Sequence, residues 1–126
     1  MTKPIIAAVE AHGPALTLLG NPPRLYPKGD APGVDEAGYA LPYATWQTVS
    51  GVPLHNMDTV PTNDDWIVQI DVWGDTFDST DQTAIALRDA IEQYPGGYIN
   101  SWRGEQIDKD TRLYGYSFDA AFAVER

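Results

Sequence analysis

Carboxylates are the side chains in this sequence with the clearest capacity for chemistry. Two Asp or Glu side chains that flank a glycosidic bond can hydrolyse it, and the candidates are Asp64, Asp65, Asp71, Asp75 and Asp78. All but Asp71 fall in predicted turns or at a predicted helix N-terminus, where aspartate usually caps or bonds the backbone. Asp71 lies inside a predicted strand, where a solvated or interfacial role is the more ordinary one. It is the one carboxylate for which a catalytic or ligand-binding role stays open.

Other reactive side chains are sparse or out of context. His12 and His55 have no carboxylate or second histidine at metal-ligand spacing. Ser50 and Ser101 lack the glycine context of a nucleophile elbow, and the glycine pair at 96–97 is not followed by the lysine and helix of a phosphate-binding loop. The chain has no cysteine, which removes disulfides and thiolate catalysis and fits a reducing compartment. We therefore expect no catalytic residue, no cofactor and no metal.

The charge of the chain is strongly negative and unevenly placed. Lys and Arg number 8 against 18 Asp and Glu, a formal net charge of −10. No Lys or Arg occurs between Lys28 and Arg88, an interval that holds ten acids: Asp30, Asp35, Glu36, Asp58, Asp64, Asp65, Asp71, Asp75, Asp78 and Asp81. Nucleic acids and anionic membranes should be repelled by such a chain. The acids form either a solvated surface or a field shaped for a partner or against a polyanion.

Length and composition predict one folded domain over residues 1–126. The chain is 43% hydrophobic and 11% aromatic, too rich for a disordered acidic segment. No apolar stretch reaches the roughly 18 residues that span a bilayer. The first residues resemble neither a signal peptide nor an anchor, so we expect a soluble protein made in a cytoplasm.

The N-terminal third predicts two short helical segments broken at Gly13 and Pro14, the second ending at Gly20. Residues 21–42 hold five of the ten prolines and predict a long irregular stretch, except for an extended piece at 24–27. Loops of this length in a compact domain are usually contact loops. Residues 43–50 then predict a strand that ends at Gly51.

Residues 66–73 form the strongest predicted strand, with one apolar face and one mixed face. Next, Ser79 and Gln82 predict a capping box, hence a helix from Ser79 to the Pro-Gly-Gly at 95–97. Strands are predicted at 98–103 and 105–108, joined by a turn at Gly104, and at 111–124 after a turn at 109–110. The fold class is α+β: an antiparallel sheet with helices packed on one face and a long loop in the N-terminal half.

The four tryptophans could stack a ligand, but strand tryptophans more often serve as core or interface anchors. Apolar side chains on the second face of the 66–73 strand leave surface that a neighbouring subunit could cover. We therefore predict a subunit interface at Trp46, Ile67, Trp73 and Trp102.

The order of the segments resembles a known family. The chain contains Leu-Gly at 19–20, RLYP at 24–27, LPYATWQTVSG at 41–51, VQIDVW at 68–73, a capped helix, and DTRLY at 110–114. Together these are similar to the tail completion, or tail-terminator, proteins of long-tailed, non-contractile phages.

The resemblance implies a structural protein without catalytic residues, located in the virion. It implies a ring, typically a hexamer, at the head-proximal end of the tail tube, which stops tube polymerisation and contacts the tube protein and the head-completion or connector protein. DNA would pass through the ring without specific binding, past acids such as Asp30, Asp35, Glu36, Asp64, Asp65 and Asp71. Two alternatives stay open: a small acidic ligand-binding or hydrolytic domain, and a head–tail connector component.

Overall fold

The computed structural model describes residues 4–33, 35–36, 39–53 and 63–125. Its elements in chain order are α1 Pro4–Glu10, α2 Gly13–Leu19, β1 Leu25–Pro27, β2 Tyr43–Pro53, β3 Asn63–Gly74, α3 Phe77–Gln93, β4 Gly97–Ile107 and β5 Tyr114–Glu125. His55 and Asp58 lie outside the described residues. The two short N-terminal helices, the brief extended piece and the helix before Pro95 confirm the predicted order.

The strands form one five-stranded sheet in the order β1-β2-β3-β5-β4. Strands β2, β3, β5 and β4 pair antiparallel, whereas the three-residue β1 pairs parallel with β2. The sheet is therefore mixed, and with three helices packed against it the α+β class is confirmed. No helix in the described part of the chain is long and apolar enough to cross a membrane.

The core lies between the sheet and the helices. Strands β3 and β5 contribute alternating apolar side chains, and α3 contributes a stripe at helical spacing. The largest fully buried apolar side chains are Phe118, Phe122, Ile5, Leu19, Ile70, Leu87, Ile91, Val9, Val68 and Val72. Trp66, predicted on the apolar face of its strand, is 8% exposed and packs against Phe122.

The predicted capping box at Ser79 and Gln82 is wrong by one turn. Helix α3 begins at Phe77, and its N-cap is Thr76, whose hydroxyl accepts a hydrogen bond from the Ser79 N–H at 3.1 Å. Gln82 instead donates to the Asp78 carboxylate at 3.4 Å. Thr76 and Ser79 are both good N-cap residues, and the three extra residues add Phe77 and Asp78 to the first turn.

The predicted turn at Gly104 is also wrong. Strand β4 runs through this position without reversing, and its pairing with β5 shifts register between Ile99 and Ser101 and again between Trp102 and Gly104. Gly104 has φ +95°, the left-handed backbone that glycine adopts without a Cβ clash. A glycine of this kind inside a strand marks a bulge rather than a hairpin.

Two strand bounds differ more modestly from the prediction. Strand β2 continues past Gly51 to Pro53, since pairing with β3 holds the chain extended through that glycine. Strand β5 begins at Tyr114 rather than at residue 111, because Arg112, at φ +61°, still belongs to the turn.

Candidate functional site

The sheet face that carries no helices is mixed in character, and its polar side chains are partly buried. Side chains from β2, β3, β4 and β5 meet there, and they form a connected set of hydrogen bonds. Its members, which we call the polar network, are Gln47, Gln69, Asp71, Arg103, Ser117 and Asp119. Alternation along the strands brings them together, because residues opposite the core positions of β3 and β5 point to this face.

Asp71 is one of two enclosed carboxylates on the open face. It is 8% exposed. The Ser117 hydroxyl, across β3 and β5, donates to Asp71 Oδ1 at 2.6 Å, and Gln69 Nε2 donates to Oδ2 at 3.2 Å. Both donors are neutral, so this carboxylate is satisfied by hydrogen bonds without a cation.

Asp119 has a different environment. Arg103 Nη2 donates to Asp119 Oδ2 at 2.8 Å in an ion pair whose carboxylate side chain is 9% exposed, while the arginine is 48% exposed. Asp119 Oδ1 is buried and has no hydrogen-bond partner. Arg103 also donates to Gln69 Oε1 at 3.4 Å, and this bond links the Arg103–Asp119 ion pair to the hydrogen bonds around Asp71.

A cavity of about 560 Å³ opens beside the polar network. Its walls include Asp71, Ser117, Trp73 and Arg103, and Lys28 adds a second cationic side chain. Gly115 makes room for the Trp73 ring, since a Cβ at that position would lie 2.7 Å from a ring carbon. The cavity is thus polar on one side and bounded by an aromatic ring on the other.

Tyr43 also borders this cavity, and the pKa of its phenol is raised above its ordinary value. Burial is the main cause, because it disfavours the phenolate. The negative charges that Tyr39 and Asp108 carry at high pH add to the rise. Tyr43 therefore stays neutral to higher pH in the folded chain than in the unfolded one.

The four predicted interface residues lie on two different faces. Ile67 and Trp73 are half-buried on the open face of β3. Trp46 packs against the helix-side core, and its indole Nε1 is buried without a hydrogen-bond partner. Trp102, 38% exposed, stacks on Phe118 at 4.9 Å and donates to the Tyr116 hydroxyl. The structure does not bring these four together, and their interface role stays a prediction.

The predicted acidic residues are also dispersed. Asp30, Asp35 and Glu36 are exposed in the loop between β1 and β2. Asp64 and Asp65 lie in β3, where they pair with the ends of β2 and β5, and their side chains are outside the described part of the chain. Only Asp71 belongs to the polar network, and a lumenal role for the six stays a prediction.

Ser117, Asp119 and Arg103 were not singled out from the sequence. Asp119 is the one charged residue in the predicted strand at 111–124 on the face opposite the aromatic side chains, which is a readable signal. Its ion pair was not readable, because Arg103 reaches it from a bulge. Among the described residues, no group of three or more His, Cys, Asp or Glu side chains could hold a metal ion.

These features define a small α+β protein whose sheet has one helix-covered face and one open face that carries the polar network. The sequence matches the family described as Tail completion protein gp17 over residues 3–125, so the chain belongs to that family. The resemblance inferred from the segment order is confirmed, and with it a structural role in the phage tail. No curated protein matches this chain.

Two solved structures share the fold. A chain of the structure titled "Virion of native gene transfer agent (GTA) particle" aligns with a TM-score of 0.70 at 14% identity, covering 97% of this chain and 92% of that one. The "Structure of bacteriophage SPP1 gp17 protein" aligns with a TM-score of 0.55, also at 14% identity, covering 97% of this chain and 86% of that one. At this identity the likeness shows the fold.

Proposed function

We propose that this chain forms a ring, six copies in size, at the head-proximal end of a phage tail tube. The ring stops tube polymerisation and offers its other surface to the head-completion or connector protein. The single observation that carries this proposal is membership of the tail completion family over residues 3–125. The likeness in fold to a chain of a structure whose title names a gene transfer agent virion supports it, because that chain is also part of a virion.

The open sheet face supports a role in an assembly. A polar face with two enclosed carboxylates is costly to cover with apolar groups, so it suits a water-filled surface. If this face and the acidic loop border the ring's lumen, like charge keeps DNA from adhering as it passes. DNA then transits the ring without being specifically bound.

Tube capping is the activity to test. The purified chain is added to polymerising tail tube protein from the same phage, and tube lengths are measured in negative-stain micrographs. We expect growth to stop and a ring to be visible at one end of each tube. Tubes that keep lengthening and remain open at both ends in the presence of excess chain would contradict the proposal.

The cavity of about 560 Å³ favours a second candidate function, a ligand-binding module. Pockets of this size accept small molecules when a few polar groups converge in them, and Asp71 and Lys28 border this one. A thermal-shift screen with sugars and nucleotides separates the two functions. A ligand that stabilises the wild-type chain but not a Trp73→Ala variant would favour the module.

A further inference from the structure

The two edges of the sheet are built differently. Strand β4 forms one edge over 11 residues, and among the described strands it pairs only with β5. At the other edge, β1 covers only three positions of β2, Ala44 to Trp46. Residues 47–53 of β2 therefore have no strand on their outer side in the described part of the chain. Each free stretch presents unpaired backbone N–H and C=O groups, which can template the addition of another strand.

Neither free stretch carries the usual protection against strand addition. Edge strands that stay in water are normally short or bear charges and prolines. Strand β1 follows that rule, being three residues long with Pro23 before it and Pro27 at its end. Residues 47–53 and 97–102 contain no charged residue in a chain that is 21% charged, and Pro53 stands only at the last position. Val49 and Tyr98 add exposed apolar surface, at 48% and 46% exposure. These two stretches have the character of covered edges.

The two stretches lie on opposite edges of the sheet and at the same position along the strand direction, which is called their height here. Thr48 pairs with Val68, Val68 with Ala120, and Ala120 with Ile99, so one row of the sheet joins β2 to β4. A second row runs in the same way from Gly51 to Gly97. Three successive antiparallel pairings also make β2 and β4 antiparallel to each other. A second copy placed beside the first therefore presents the opposite edge at the right height and in the antiparallel sense.

We propose that residues 97–102 of one copy pair antiparallel with residues 47–53 of the next copy, so that the sheets continue from subunit to subunit. This inference deepens the ring of the proposed function and rests on it. The contact joins two different surfaces of the same chain, and a contact of that kind propagates head to tail and closes into a ring when the rotation permits. Pairing of β4 with β4 would instead stop at a dimer.

The bulge at Gly104 marks the end of the contact along β4. After Gly104, β4 would run alongside β1 of the next copy, which already occupies the outer side of β2 at Ala44 to Trp46. A bulge increases the local twist and bends the strand. The register shift between Trp102 and Gly104 therefore interrupts the edge where β1 would lie beside it, and residues 97–102 are left to pair.

The absence of cysteine from the chain allows a direct test by disulfide formation. Cysteine is introduced in the full chain at Val49 together with Tyr98→Cys, Asn100→Cys or Ser101→Cys, which allows for a shift of register. Adjacent strands place such pairs within the roughly 4.4–6.8 Å Cα separation that a disulfide needs. All these side chains are exposed. Under mild oxidation we expect at least one pair to convert most of the chain into a covalent ladder up to the full ring, as seen in non-reducing gels.

Controls separate this contact from the other ways in which copies could meet. Val49→Cys paired with Ile107→Cys, beyond the bulge and 58% exposed, should give no ladder. Each single-cysteine variant should stay monomeric in the gel. Dimers from Asn100→Cys alone would overturn the inference in favour of β4 pairing with β4.

Native mass spectrometry of the wild-type chain shows separately whether a ring exists. Rings in the wild type with no ladder from any of the three pairs would overturn the edge pairing and leave the ring standing. A wild-type chain that stays monomeric both at high concentration and on tube tips would overturn the ring and the pairing together.

Discussion

Among single residues, Arg103 should be sensitive to substitution, because it is the only cation that contacts the enclosed Asp119 carboxylate in the described structure. Removing it by Arg103→Ala leaves a buried charge with one oxygen already unpaired. Because the arginine is half exposed, the ion pair contributes less than a fully buried one. We expect a loss of about 1–3 kcal/mol in the free energy of unfolding, measured by urea denaturation. Arg88→Ala is the control: its ion pair with Asp89 is about 40% exposed on both sides, so the loss should be about 1 kcal/mol or less. Equal losses from the two variants would contradict the assignment.

The raised pKa of Tyr43 predicts that the chain loses stability at alkaline pH. Above the ordinary tyrosine value of about 10, the unfolded chain releases this proton while the folded chain keeps it, so the folded state binds more protons. The free energy of unfolding therefore falls as pH rises from the unfolded pKa through the folded one, and the contribution is fully present below that window. Tyr43→Phe should flatten the fall, as measured by urea midpoints from pH 9 to 11. An unchanged slope would show that other groups cause it.

At the scale of elements, the start of α3 distinguishes two cap residues that the sequence leaves equivalent. Thr76→Ala removes the hydroxyl that accepts from the Ser79 N–H and should cost about 0.5–2 kcal/mol in the free energy of unfolding. Ser79→Ala is the matched control. Its side chain makes no described hydrogen bond, so the change should stay within about 0.5 kcal/mol. Thermal or urea unfolding of both variants measures the difference. A larger loss from Ser79→Ala would indicate that Ser79 is the N-cap, as the sequence predicts.

The elements themselves were readable from the sequence, whereas their junctions were not. The apolar alternation in β3 and β5 and the stripe of α3 predicted the core correctly, because burial of apolar side chains selects the period. Gly104 was misread because a glycine with positive φ serves a tight turn and a strand bulge equally well. Only the pairing of β4 with β5 along the full length of β4 decides between the two, and this pairing depends on the tertiary structure.

The same limit applies to the polar network at the scale of the whole molecule. Asp71 stood out in the sequence because it interrupts an apolar strand. Its partner Ser117 is 46 residues away, and the two meet only because β3 pairs with β5 in one register. A shift of one residue would place Ser117 on the core face. The sequence therefore indicates that an open, mixed face exists, while register determines which polar groups share it.

A change in the charge of the whole molecule tests most directly whether DNA passes through the proposed ring. Reversing Asp30, Asp35 and Glu36 to Lys adds six positive charges to a chain whose formal net charge is −10. If the loop borders the lumen, these lysines from every subunit meet in one confined ring and neutralise phosphates there. We expect the variant ring to retain double-stranded DNA at 50 mM salt and to release it as salt rises, because each phosphate contact releases counterions. The wild-type ring should retain none in the same gel-shift assay.

The control variant for this prediction has the same net charge as the loop variant but carries its new lysines elsewhere. Glu10, Asp81 and Glu92 lie on the helices, and their reversal to Lys adds the same six charges away from the loop. Assemblies of equal size then carry the same total charge in both variants, so only the position of the lysines differs between them. DNA retained by the loop variant and not by the helix variant supports a lumen bordered by the acidic loop. Equal retention by both would mean that net charge alone governs the contact, and it would remove the reason for placing the acidic loop in the lumen.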